Sequence, residues 1–173
     1  MLSVLIQEHL ETVNQFIEMP EEILSKRPVT GGWTAFECIE HLNIYGRYYL
    51  PKVKSGLSSA PDKEDSMYKS GLMGNYFVNI MRPFPHGKKM STLKKTDPKF
   101  QVLDISAVQE FRNQLLELQE LIQISGGKDL RSKKIPMSIF PILKLQIGDI
   151  LQMVIYHNGR HLDQAQRVLS IEK

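Results

Sequence analysis

Apolar side chains recur at helical spacing in four stretches of the chain, and each stretch predicts an amphipathic α-helix. The first predicted helix runs from about Leu2 to Ile17 and ends before Pro20. The second starts at Thr34, because Thr34 and Glu37 have the spacing of a capping box. Pro51 is expected to kink or end this second helix, since proline removes an amide donor.

The other two predicted helices lie in the C-terminal half of the chain. The third is expected to start at Asp104 or Ser106 and to end at Gly126-Gly127. The fourth runs from about Gly148 to Leu169. No segment alternates apolar and polar residues for long enough to require a β-sheet.

The stretch from Ser55 to Leu103 is the least regular part of the chain and is rich in glycine and proline. A connection this long usually carries function or some structure of its own. One or two short helices are expected between Ser66 and Met81. Four amphipathic helices with one long crossover predict an all-α fold, a four-helix bundle. The crossover lets the second and third helices run parallel, as an up-down-down-up order requires.

Composition narrows the class of protein. A chain of 173 residues with 42% hydrophobic and 24% charged residues predicts one folded domain over residues 1–173. The net charge of +3 is too small to indicate a nucleic-acid-binding protein. The longest apolar run, Met153 to Tyr156, is far too short for a membrane span. One cysteine and no basic leader at the N-terminus favour a soluble, cytoplasmic protein without disulfides.

Histidines supply the candidate chemistry. His157 and His161 are four residues apart on the predicted fourth helix and continue its inward apolar line. Both imidazoles can therefore reach one ion. His41 is the best third ligand, because it lies on the inner side of the second helix. Three neutral imidazoles leave coordination positions open, which is typical of a catalytic metal site.

Other interpretations of these residues stay open. The histidines could merely pack in the core, and His9, also on an apolar line, is an alternative third ligand. His86 is expected in a surface loop, and Cys38 is either a ligand or a small buried side chain. Glu37, one turn before His41, is a candidate catalytic base or an acceptor for an imidazole N–H, besides its role as a helix cap. Tyr45, Tyr48 and Asn158 are candidate cavity-lining residues.

Two segments resemble a known family. Trp33–Leu42, with the sequence WTAFECIEHL, resembles the motif that opens the second helix of DinB-like proteins, the DinB/YfiT superfamily. His157–Gln164 resembles the last-helix motif of the same superfamily. The resemblance implies an up-down-down-up bundle and one divalent ion, nickel or zinc most often, held by His41, His157 and His161.

The resemblance also implies an activity and partners. Some DinB-like proteins are transferases that join a low-molecular-weight thiol to an electrophile, and others are hydrolases or isomerases. A small-molecule substrate and a homodimer are therefore expected, with no nucleic acid and no membrane as partners. The stretches 55–103 and 136–146 differ from the family pattern, so the substrate cannot be carried over. The alternative function is a non-catalytic metal-binding or stress-response bundle.

Overall fold

The computed structural model describes residues 1–29, 31–63, 68–83 and 92–170. This part of the chain is mostly helical, with six α-helices and one small antiparallel hairpin. The elements are α1 (Leu2–Ile17), α2 (Glu21–Leu24), α3 (Ala35–Ser58), α4 (Leu72–Met81), a 3-10 turn (Lys94–Thr96), α5 (Ile105–Ser125), β1 (Lys134–Pro136), β2 (Lys144–Gln146) and α6 (Ile147–Ser170).

All four long helices predicted from apolar spacing are present as α1, α3, α5 and α6. The predicted start of α5 is confirmed at its cap, where an Asp104 carboxylate oxygen accepts the Ser106 N–H at 2.8 Å. The predicted end of α5 is also confirmed, because Gly126 follows its last residue. The apolar period and the end signals therefore predicted the bounds of α1, α5 and α6 to within a residue or two.

The prediction that Pro51 could end the second helix is wrong, because α3 continues through Pro51 to Ser58. Its start is the predicted one: Thr34 and Glu37 form a complete capping box. Beyond Pro51, Val53 and Leu57 are each about 1% exposed. Burial of these two side chains against the core stabilises the last turns of α3 and outweighs the one backbone hydrogen bond that proline cannot form.

Three short elements refine the sequence interpretation. Helix α4 lies inside the stretch expected to hold one or two short helices, whose first residues, Ser66 and Met67, lie outside the described ranges. The helix α2 and the hairpin were not predicted. Each hairpin strand has three residues, too few to show an alternating pattern. Three residue pairs define the hairpin, and the buried pair is Ile135 with Leu145.

Packing between the helices places the candidate residues. Helix α3 packs against both α5 and α6, α1 packs against the same two helices, and α4 packs against α6. A continuous apolar cluster fills the space between them. The β-hairpin contacts α3, α4 and α6. No helix in the described ranges is long and apolar enough to span a bilayer.

Candidate metal centre

His41 from α3 and His157 and His161 from α6 meet between the two helices, as the sequence predicted. One ligand atom from each ring lies within 4.8 Å of the other two. The ring centroids are 5.2 Å apart for His41 and His157, 4.5 Å for His41 and His161, and 4.6 Å for His157 and His161. The two helix-α6 rings converge because positions four apart share one helix face.

Two of these rings are oriented by hydrogen bonds to oxygen acceptors. The Nδ1 of His41 lies 2.7 Å from the main-chain oxygen of Thr96. The Nδ1 of His161 lies 2.9 Å from the side-chain oxygen of Gln164. Both oxygens only accept, so each Nδ1 carries the hydrogen and each Nε2 keeps its lone pair. A histidine that donates Nδ1–H to an oxygen and presents Nε2 is the usual arrangement at a metal.

Burial keeps all three imidazoles neutral. The cluster is buried, and only His161 keeps part of its surface exposed. Loss of hydration lowers the pKa of His41, although its bond to Thr96 offsets part of that effect. Burial and the neighbouring rings hold the pKa of His157 well below its usual range. Burial, followed by the proximity of His41, lowers the pKa of His161 to about 3. The nitrogen lone pairs are therefore free at neutral pH.

Aromatic side chains enclose the cluster. The Trp33 ring centroid lies 4.8 Å from that of His41 and 5.8 Å from that of His161. On another side, the Tyr45 ring lies 4.9 Å from His41 and 4.6 Å from His157. Rings at these distances exclude water and lower the local dielectric constant, which strengthens any charge interaction inside. Tyr45, one of the predicted cavity-lining residues, therefore contacts the site.

Two loops meet next to Tyr45. Burial raises the pKa of the Tyr45 hydroxyl, and hydrogen bonds with the Thr96 and Ser138 side chains offset part of that rise. The Lys95 ammonium donates to the main-chain oxygen of Ser138 at 2.7 Å. The hydroxyl of Tyr49 accepts the Ser138 N–H at 3.0 Å. The turn at Lys94–Thr96 and the hairpin loop are thus joined to each other beside the histidines.

Glu37 lies one helical turn before His41, but its carboxylate is fully engaged elsewhere. Arg27 donates to both oxygens, at 2.6 and 3.0 Å. The N–H groups of Thr34 and Phe100 donate at 2.9 and 2.6 Å. Burial would raise the pKa of Glu37, but these bonds outweigh it and hold the pKa below its usual value. Glu37 is therefore an ionised anchor; its role as a catalytic base stays a prediction.

The remaining candidates lie elsewhere or play a packing role. His9 is buried on α1, with its Nε2 3.0 Å from where a Cβ of Gly159 would be, and it is not part of the three-histidine group. Burial raises the pKa of Cys38 to about 12, so it is a neutral thiol and a poor ligand. Tyr48 donates to the main-chain oxygen of Pro136 at 3.3 Å. Asn158 is buried in α6, and His86 lies outside the described residues.

The sequence did not point to Thr96 or Ser138, and it included Gln164 only as the last residue of the motif His157–Gln164. Thr96 acts through its main-chain oxygen, which carries no signal in the side-chain pattern. Ser138 is in a hairpin loop that was not predicted. Gln164 could have been found, because it lies three residues after His161 on the same helix face.

The donor set fits a divalent metal ion. All three groups are neutral nitrogen donors, two of them already hold a hydrogen on the nitrogen that faces away, and their ligand atoms are close enough to share one ion. Imidazole nitrogens suit nickel and zinc far better than magnesium or calcium. Among the described residues the group has no fourth protein ligand, so an exchangeable ligand could complete the coordination.

The fold and the site together define a helical protein in which two helices bring three imidazoles to one buried position. The family model of the DinB superfamily matches residues 5–165, so the chain belongs to the DinB superfamily. The resemblance found in Trp33–Leu42 and His157–Gln164 is thereby confirmed. No curated protein and no solved structure matches the chain.

Proposed function

We propose that the protein is a metal-dependent enzyme of the DinB superfamily, in which His41, His157 and His161 hold one nickel or zinc ion. The observation that supports this proposal best is the convergence of three neutral, buried imidazoles from two helices. A divalent ion bound there would lower the pKa of a thiol or a water, making it a nucleophile at neutral pH.

The protein groups around the histidines would prepare the site for that chemistry. Thr96 and Gln164 fix the ring orientations, so the imidazoles need no reorganisation when an ion binds. Trp33 and Tyr45 keep water from the ring faces. The natural reaction for such a site is transfer of a low-molecular-weight thiol to a small electrophile, or hydrolysis of a small molecule. In the transfer, the thiol would lose its S–H proton to solvent and its sulfur would form a C–S bond with the electrophilic carbon. The bond from that carbon to the leaving group would break, and the leaving group would keep the electron pair.

We propose that the long helices α1, α3, α5 and α6 form the family's up-down-down-up bundle within one domain spanning residues 1–173. The pairwise packing of α1 and α3, each against both α5 and α6, supports this arrangement. The long crossover between α3 and α5 is the connection that the topology needs.

Metal content is the first test of the proposed function. Protein purified without a histidine tag should bind about one nickel or zinc ion per chain by elemental analysis after metal loading. Nitrogen ligands near 2.0–2.2 Å should appear in X-ray absorption spectra of the loaded protein. Absence of stoichiometric metal after loading would mean that the histidines only pack.

Activity is the second test. The loaded protein should accelerate the reaction of small thiols with electrophiles, or the hydrolysis of members of an ester and amide panel. Metal binding without turnover on either panel would favour the non-catalytic metal-binding protein instead.

We also propose a homodimer of this chain, as the resemblance implies. Light scattering at high concentration should give about twice the 19.9 kDa mass of the chain. A mass near that of one chain would reject the dimer.

A further inference from the structure

The start of α3 and the stretch from Leu93 to Phe100, called here the 93–100 loop, are joined by three hydrogen bonds. The Trp33 indole N–H donates to the Asp97 carboxylate at 2.9 Å. The Phe100 N–H donates to Glu37 at 2.6 Å, and His41 donates to the main-chain oxygen of Thr96 at 2.7 Å. The loop therefore contacts three successive turns of the segment that carries the α3 ligand.

Glu37 and His41 are four residues apart and lie on one face of α3, one turn above the other. Thr96 and Phe100 are also four residues apart in the loop. The loop is thus attached to this helix face at two levels. At one level a buried carboxylate holds a loop N–H, and at the other a loop carbonyl holds the ligand's Nδ1–H.

The backbone at Phe100 takes an uncommon conformation at the point where the loop joins Glu37. Phe100 has a φ of 68°, the left-handed conformation that a bulky side chain rarely adopts. Its side chain is 74% exposed, so apolar burial does not explain the conformation. Phe100 is the third residue of a turn that the Gln101 N–H closes on the main-chain oxygen of Pro98 at 3.0 Å. This bond, the N–H bond to Glu37 and the Arg27 and Lys99 cations over the ring, 4.6 and 5.1 Å from its centroid, together offset the strain.

We propose that Glu37 is a positioning residue of the metal centre, which acts through the 93–100 loop on His41. By holding the Phe100 N–H it places the Thr96 oxygen, and that oxygen keeps the hydrogen of His41 on Nδ1 and the lone pair on Nε2. The proposal rests on the proposed function and gives Glu37 a role that requires no contact with substrate.

The test uses Glu37→Asp and the isosteric Glu37→Gln in the full chain. Aspartate keeps the charge near the start of α3, but it is one methylene too short to reach the Phe100 N–H. Glu40 offers the matched control, because it is a buried carboxylate on the same helix paired with an arginine, Arg47, at 2.8 Å. The bonds of Glu40 run to Arg47 and Asn43, and none of these residues belongs to the loop.

Two readouts separate positioning from general stability. In the metal-free protein, ¹⁵N-edited spectra of the imidazoles report which nitrogen of His41 carries the hydrogen. Titration with zinc gives the affinity. We expect Glu37→Asp to populate the Nε2–H form of His41 and to lose 10- to 100-fold in zinc affinity. Glu37→Gln, whose side-chain oxygen can still accept the Phe100 N–H, should lose less. The Glu40→Gln and Glu40→Asp variants should keep the Nδ1–H form and stay within threefold, at a comparable loss of thermal midpoint.

The proposal is wrong if His41 keeps its hydrogen on Nδ1 in Glu37→Asp. It is also wrong if the Glu37 and Glu40 variants lose zinc affinity equally. Should the wild-type protein bind no zinc, the proposed function fails. The tautomer of His41 in the metal-free variants then still decides whether Glu37 positions this ring.

Discussion

The imidazole rings of His41 and His161 meet edge to face with their centroids 4.5 Å apart, although they belong to different helices. Two protonated rings at this distance would repel each other strongly in a buried place. Both rings also have their Nδ1 bonded to oxygen, so each directs its lone-pair nitrogen away from these acceptors. A cation bound between the rings would relieve the repulsion between these nitrogen lone pairs.

Replacing His41, His157 or His161 by Ala should abolish stoichiometric metal binding and leave the helices formed, since Ala is the best helix former. Each change should cost the metal-free protein roughly 1–3 kcal/mol through the cavity it leaves. His9→Ala is the matched control, because His9 is as buried but outside the group, and its metal affinity should stay within a few-fold. Elemental analysis and thermal midpoints of all four variants provide the check.

If His9→Ala loses its metal while His41→Ala keeps it, the third ligand lies on α1 and not on α3. If all four variants lose stability and none changes its metal content, the histidines serve packing alone.

Trp33 should report metal binding directly. It is the only tryptophan of the chain, and its ring lies 4.8 Å from His41. Paramagnetic nickel at the site should quench at least half of the indole fluorescence at one equivalent, whereas zinc should change the emission much less. Fluorescence titrations of the wild-type protein and of His161→Ala test this, and quenching that persists in the variant would place the ion elsewhere.

Stability of the metal-free protein should fall as the pH drops below about 6.5. Burial lowers the pKa of His9 from 6.5 to about 4, and its Nδ1 has no hydrogen-bond partner among the described residues. Because the folded state binds the proton less readily than the unfolded state, the contribution of His9 is present above pH 6.5. It is lost as the pH falls towards 4, by roughly 3 kcal/mol.

Urea unfolding of the wild-type protein and of His9→Gln between pH 4 and pH 8 isolates this contribution. The free energy of unfolding of His9→Gln should depend less on pH than that of the wild type. Parallel pH curves for the two proteins would show that His9 does not cause the pH dependence.

Gly74→Ala should destabilise the protein by roughly 1–3 kcal/mol, even though alanine favours a helix. A Cβ at Gly74 would overlap the carboxylate of Asp149, which is only 2% exposed, so α4 and α6 would be pushed apart. Gly126→Ala is the control: Gly126 has helical φ and ψ, and only a main-chain oxygen 3.4 Å away meets its Cβ. Gly126→Ala should stabilise the protein by up to about 1 kcal/mol. Denaturant unfolding of the two variants measures both changes in the free energy of unfolding.

Local rules were sufficient for the bounds of three of the long helices, α1, α5 and α6. The ends of α5 follow from an Asp104 cap and a terminal Gly126, and both depend on neighbours within four residues. The hairpin was missed because β1 and β2 pair residues about ten positions apart, and neither strand is long enough to show a pattern. Pro51 misled for a related reason: the burial of Val53 and Leu57 against other helices, which the local sequence does not show, decided where α3 ends.

The sequence by itself determined the ligand candidates: a four-residue spacing puts His157 and His161 on one helix face, and the capping box fixes the helix that presents His41. The tertiary structure decided that these faces meet, and which nitrogen of each ring is left for an ion. For His41 that choice depends on the main-chain oxygen of Thr96, which the 93–100 loop, in the connection between α3 and α5, brings to the ring. A main-chain oxygen is the same in every residue, so only the fold could select it.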